Sequence, residues 1–160
     1  MASGFDLEHS LLVEPFVFED HHNFVLDAWL QSMRRTRFAR GGDKDLFYGT
    51  QQKLIEAIIE RCRCDIAYVE IRDSKAFVGF IVWEPTCLHY VYVKHAYRRI
   101  GVATKLIGGI GVPERYSCIF DGRWKKQFIE DKCGMVFDFY AALRYLAGGH
   151  EQKRPFQFGS

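Results

Sequence analysis

The chain has 160 residues, 48% of them hydrophobic, and a formal net charge of +2. That is long and apolar enough for one domain with a buried core and argues against disorder. The small charge gives no footing for nucleic-acid binding. Five cysteines, Cys62, Cys64, Cys87, Cys118 and Cys133, are an odd number without a Cys-x-x-Cys pair, and no histidine pair completes a zinc pattern. They read as reduced thiols of a cytoplasmic protein, and no metal is expected. No charged-then-apolar leader opens the chain and no apolar run approaches about 18 residues, so neither secretion nor a membrane partner is expected.

In chain order, Met1 to Ser10 reads as a loose start and Leu11 to Phe18 as a first strand, near an edge because of Pro15. Phe24, Val25, Ala28, Trp29 and Met33 recur at helical spacing, predicting a helix over 22–38 capped by Asp20 or Asn23. Its end carries Arg34, Arg35, Arg37 and Arg40, either as charge suited to a helix C-terminus on a solvated face or as a patch for an acidic acceptor or a ligand's phosphates. Gly41 to Gly49 reads as a loop with the aromatics Phe47 and Tyr48. Leu54, Ile55, Ile58 and Ile59 make the apolar stripe of a second helix over 51–62. Ile66 to Ile71 and Ala76 to Trp83 form a hairpin across Arg72–Lys75, with Gly79 marking a bulge or a close approach. Leu88 to Val93 alternates as a fourth strand. A polar turn over Lys94–Arg98 follows, then a helix that runs through Leu106 and Ile107 and stops at Gly108-Gly109. Tyr116 to Phe120 reads as a fifth strand, Trp124 to Lys132 as a helix, Met135 to Tyr140 as a sixth strand, and 148–160 as a peripheral polar tail. The prediction is one α/β domain, monomeric or homodimeric, with its core over about 11–140. Its sheet is mixed and mostly antiparallel, with helices on both faces.

The stretch from His89 to Ile107 organises the rest. A strand, a turn of small residues and a helix start make an anion site, because the first N–H groups of a helix lack internal partners and its dipole favours negative charge. Gly101 and Ala103 keep bulk away from those N–H groups, and Arg98 and Arg99 add positive charge.

Arg98-x-x-Gly101-x-Ala103, after a strand ending at Val93 and with Tyr97 just before the first arginine, resembles the acyl-CoA-binding signature of the GNAT (GCN5-related) N-acetyltransferases. The meander before this loop has the strand order of that family. The resemblance implies that acetyl-CoA is the acyl donor, and that the loop amides of Arg98, Arg99, Ile100, Gly101, Val102, Ala103 and Thr104 hold its pyrophosphate. The backbone of Val91, Tyr92 and Val93 would pair with the pantetheine arm, and an N–H near Tyr92 would stabilise the oxyanion. The implied reaction is direct transfer of an acetyl group to a primary amine of a small molecule or protein. The two helices after the first strand would line the acceptor site, with Tyr48 a candidate contact.

An attacking amine must lose a proton. Glu84 and His89 are the candidate bases, because both lie where the third and fourth strands would flank the acyl group. Each also has a plain structural reading, Glu84 as a solvated turn carboxylate and His89 as a satisfied strand residue. Many GNATs place an acidic tyrosine four residues before the glycine of the closing turn. Here Glu130 holds that position, and Tyr140 or Tyr90 is the substitute. The asparagine common after the fifth strand is also missing, with Asp121 nearby. The missing tyrosine keeps open a catalytically silent acyl-CoA-binding module, and the basic residues Arg34, Arg35, Arg37, Arg40, Lys125 and Lys126 keep open a nucleic-acid-binding protein.

Overall fold

A computed structural model describes residues 10–34, 42–117, 125–138 and 140–147. Six strands lie in sequence order across one sheet. β1 (Leu11–Pro15), β2 (Arg63–Ile71), β3 (Ser74–Glu84) and β4 (Cys87–Val93) form an antiparallel meander, and β5 (Arg115–Tyr116) and β6 (Val136–Phe137) add in parallel. β1 takes the edge, where Pro15 interrupts no inner ladder. The β2–β3 hairpin closes on Arg72 and Asp73, both at positive φ (50° and 65°), the conformation that suits a two-residue turn to strand twist.

Two bulges set the shape of the sheet. Ala67 faces Gly79 while Tyr68 faces Phe77, so Val78 is the extra residue on β3. Gly79 is needed there because a Cβ would sit 2.5 Å from the Tyr92 carbonyl oxygen. In the second bulge Val82 faces Tyr90 and Trp83 faces Leu88, which leaves His89 as the extra residue on β4. Bulges re-aim side chains, and this one redirects the histidine.

The helices differ from the sequence pattern at their starts. α1 spans Phe18–Met33, four residues ahead of the predicted start, and neither Asp20 nor Asn23 is its cap. The Val17 N–H is taken instead by Nδ1 of buried His21 at 2.8 Å, which leaves Glu19 and Asp20 in the first turn, where the helix dipole favours them. α2 spans Lys44–Arg61 and absorbs the predicted Gly41–Gly49 loop from Lys44 onward. Asp43 caps it, accepting from the N–H groups of Asp45 and Leu46 at 2.9 and 3.2 Å. A cap contributes about 1 kcal/mol, close to the cost of Gly49 inside the helix.

α3 (Val102–Gly108) follows the predicted turn, which winds as a single 3₁₀ turn over His95–Tyr97. α4 (Lys125–Lys132) is wound wider than an α-helix, its Cys133 N–H reaching back five residues to the Phe128 carbonyl. The predicted sixth strand stops early. Asp138 caps a further helix, α5 (Tyr140–Ala147), by accepting from the Ala141 N–H at 3.2 Å. The predicted fifth strand is described to Ser117, and residues 118–124, like Met1–His9, 35–41 and the 148–160 tail, lie outside the described residues.

Both sheet faces are covered. Val25 and Trp29 of α1, Ile55 and Ile58 of α2 and Tyr145 of α5 pack on Phe80, Val82 and Tyr90. Trp29 stacks on Tyr90 with ring centroids 4.6 Å apart. On the other face Val102, Leu106 and Ile107 of α3 and Ile129 of α4 cover Ile81, Leu88 and Val91. No helix among the described residues is long and apolar enough to cross a membrane.

Candidate active site

β4 carries candidate chemistry at both ends. Downstream of Val93, Arg99 adopts φ 67° and Gly101 φ 92°, so the chain turns sharply into α3. A Cβ on Gly101 would meet nothing within 4 Å. Glycine is therefore required there by its backbone conformation rather than by crowding. Arg98, exposed, donates its Nε–H to the Val93 carbonyl at 2.9 Å, fastening the loop to the strand end. Arg99, Ile100, Gly101 and Thr104 are exposed, Ala103 is half-buried, and Val102 is anchored in the core. The Arg98 N–H leaves the predicted row, because it donates to the His95 carbonyl at 3.3 Å in the 3₁₀ turn, but among the described residues no carbonyl or side chain accepts from the amides of residues 99–104. Upstream on the strand, Val91 is buried against α3, while Tyr92 and Val93 are half-buried, Tyr92 packing on Phe24 and Phe80.

The upstream end is closed. Glu84, ending β3, and His89, in the β4 bulge, are 4% and 1% exposed. His89 Nε2 lies 2.8 Å from Glu84 Oε2, and Nδ1 lies 2.7 Å from Ser117 Oγ, just past β5. The same carboxylate accepts from the Tyr145 hydroxyl and, at 3.3 Å, from Thr86 Oγ1, and it lies 3.6 Å from Cys62 Sγ at the end of α2. The Tyr145 ring meets the His89 ring edge-on at 5.6 Å. Ser117 and Tyr145 are buried as well.

The donors around Glu84 favour one histidine tautomer. Hydroxyls and a thiol converge on Glu84, which suits an ionised, accepting carboxylate. Nε2 of His89 then carries the proton that Glu84 accepts, and the lone pair of Nδ1 faces the Ser117 hydroxyl. The result is a Ser117–His89–Glu84 line in which a base is oriented on one side and meets an O–H on the other. Glu84 is thus no solvated turn carboxylate.

Cys62, Glu84 and His89 also place ligand-type atoms within 4.8 Å of one another. As arranged, Nε2 and Oε2 bond each other at 2.8 Å, closer than the separation on the order of 3.4 Å between ligands of a tetrahedral ion.

Other predicted residues lie elsewhere. Tyr140 is the first residue of α5 and is 77% exposed; Tyr145, later on the same helix, is the tyrosine of the network. Tyr90 donates to Ser32 Oγ on α1. Glu130 accepts from the Tyr116 hydroxyl at 2.7 Å. Tyr48 lies in α2, its ring 5.8 Å from the Arg34 guanidinium carbon. Of the basic set, Arg34 ends α1, Arg35, Arg37 and Arg40 lie outside the described residues, and Lys125 and Lys126 begin α4. Burial pushes the Cys64 and Cys133 thiols up, against a thiolate role.

No family model matches the chain, and no curated protein sequence does. Among solved structures, one of a possible acetyltransferase from Clostridium difficile 630 is similar over 81% of this chain and 93% of its own, at 16% identity and a TM-score of 0.52. The chain has the fold of the GNAT acetyltransferases. Similar at lower TM-scores are a GCN5-related N-acetyltransferase from Rhodopseudomonas palustris (0.42, 17% identity, 62% of each chain) and yncA from Salmonella typhimurium, solved with its cofactor acetyl-CoA (0.39, 15% identity, 62% of this chain and 60% of that one). The chain spans about three fifths of the length of these last two. In the GNAT fold seen here, the expected sheet, strand order and two-sided helix cover are all present.

Proposed function

We propose that the chain is an acetyl-CoA-dependent N-acetyltransferase that moves an acetyl group directly to a primary amine of a small molecule or protein. One observation carries this reading: a row of open amides at one end of β4 and an oriented base at the other. His89 lies four residues upstream of Val93, about 13 Å along a strand, so the loop and the histidine stand at opposite ends of β4.

In this reading the amides of Arg99 to Thr104, with the charges of Arg98 and Arg99, hold the diphosphate, and the backbone of Val91 to Val93 aligns the arm. The acyl group then lies beside His89 and Ser117. Ser117 takes the amine proton while passing its own to His89 Nδ1, and Glu84 stabilises the imidazolium so formed. That proton is available to the departing thiolate, which needs little help. Tyr145 and Thr86 both donate to Glu84, so Tyr145 replaces Tyr140 as the tyrosine we place in the site.

A second reading, a silent acyl-CoA-binding module, draws on Glu130, which stands at the family's tyrosine position and is tied to Tyr116. Thiol release from acetyl-CoA across a panel of polyamine, aminoglycoside and peptide amines separates the two. Amine-dependent release is expected; binding without any release would favour the module.

A further inference from the structure

We infer that Ser117 is itself an acyl acceptor, giving the protein an acyl-CoA hydrolase activity through an O-acyl-serine when no amine is present. This rests on the acyl-CoA reading above and goes beyond it. The Ser117 hydroxyl is 2.7 Å from His89 Nδ1, and His89 Nε2 is 2.8 Å from Glu84, so nucleophile, base and orienting carboxylate stand in line. The three arrive on different elements: Ser117 just after β5, His89 from the β4 bulge, and Glu84 from the end of β3. The group is recognised by this geometry rather than by order in the chain. The imidazole is presented through Nδ1 rather than Nε2, which is chemically equivalent because either ring nitrogen can serve as the base.

Placement favours the thioester. The Ser117 N–H donates to the Leu88 carbonyl at 2.9 Å, which sets the serine against β4 next to His89. An arm aligned on Val93 to Val91 brings its acyl end to this point. A Ser–His contact that served the fold alone would not need Glu84 held in place by further donors on the far side of the ring, as Tyr145 and Thr86 hold it here.

The steps balance. Ser117 Oγ attacks the thioester carbonyl carbon and its proton passes to His89 Nδ1. The carbon–sulfur bond breaks, and the thiolate takes that proton and leaves as CoA thiol. Water then adds to the serine ester, giving a proton to His89. The ester bond breaks, Ser117 recovers the proton, and the carboxylic acid departs.

The test uses the full chain with acetyl-CoA and no amine. The expected result is thiol release that falls at least tenfold in Ser117→Ala, together with an acid-quenched acetyl adduct mapped to Ser117. A fluorophosphonate probe should also label Ser117 in the wild-type protein, a readout that survives even if the alanine variant misfolds. If acetyl-CoA raises the melting temperature but amine-free thiol release is equal in wild type and Ser117→Ala, with no probe label, the acyl-serine is overturned and acyl-CoA binding stands without it. If acetyl-CoA gives no thermal shift in the wild type, the acyl-CoA reading fails and takes this one with it.

Discussion

The two ends of β4 are built on opposite principles. Upstream, His89 has both ring nitrogens engaged, and Glu84, Ser117 and Tyr145 are buried around it. Downstream, the amides of residues 99–104 have no partner among the described residues, and the loop is largely exposed. The first end is organised by its own side chains, and in the proposed reading the second is completed by a ligand. Buried polar networks specify a single arrangement and are costly to break, whereas a solvated loop loses little when altered. Damage upstream should therefore appear in both stability and rate, and damage downstream in binding.

The largest effect is expected from His89→Gln. Transfer should fall by about 10²–10⁴-fold, and denaturant melts should show a loss of roughly 1–3 kcal/mol as Glu84 loses a buried partner. Acetyl-CoA affinity by calorimetry should stay near the wild-type value. Unchanged turnover would make the network purely structural.

Next is Gly101→Val. A branched residue is an outlier at φ 92°, so the loop must rearrange. Calorimetry should show affinity for acetyl-CoA reduced more than tenfold, while stability drops by only about 1–2 kcal/mol. A variant that binds normally would remove the loop from the site.

Tyr145→Phe sharpens the contrast from the buried side. It keeps the ring in the core and removes one donor to Glu84, at about 1–3 kcal/mol by chemical melts. Steady-state kinetics should show lower kcat at unchanged KM for acetyl-CoA. The matched change Tyr140→Phe, on an exposed side chain, should leave kcat unchanged.

The smallest effect concerns Glu14, remote in sequence from both ends. Burial pushes its carboxyl up, but hydrogen bonds and charge from Lys75 (2.6 Å) and His21 (2.8 Å) outweigh this and hold it below its usual value of 4.5. A lowered folded value contributes stability above pH 4.5 that disappears as pH falls through the folded value. Glu14→Gln should therefore melt lower than wild type at pH 6, with the gap narrowing below pH 4.5. Acetyl-CoA binding should be untouched, and a constant gap down to pH 2 would count against the pairing.

Much of the fold is legible in the pattern of residues. Alternation at Leu88–Val93 and the paired runs around Arg72–Lys75 mark strands, and the stripe at Leu54, Ile55 and Ile58 marks a helix. What escaped was capping that periodicity does not report. His21 substitutes for an N-cap side chain, and Asp43 extends α2 through a glycine. Asp138, three residues before Ala141, with Gly148-Gly149 beyond, is the signal that would have disclosed α5 and hence Tyr145.

Site residues divide the same way. Glu84 and His89 stand out by type and position, and folding brings them together. Cys62 and Ser117 do not, because they join the network only through the end of α2 and the pairing of β5 with β4, contacts between residues far apart in sequence. The bulge at His89 was equally hidden, since nothing in an alternating strand shows which residue is extra.

The most direct measurement is the melting temperature of the wild-type chain titrated with acetyl-CoA beside Gly101→Val and His89→Gln. A diphosphate gripped by the loop should raise it in the wild type and in His89→Gln, by an amount equal to about 2.7 kcal/mol at a hundredfold excess over Kd, and leave Gly101→Val unmoved. No rise in the wild type at millimolar ligand, or the same rise in all three, would contradict the account.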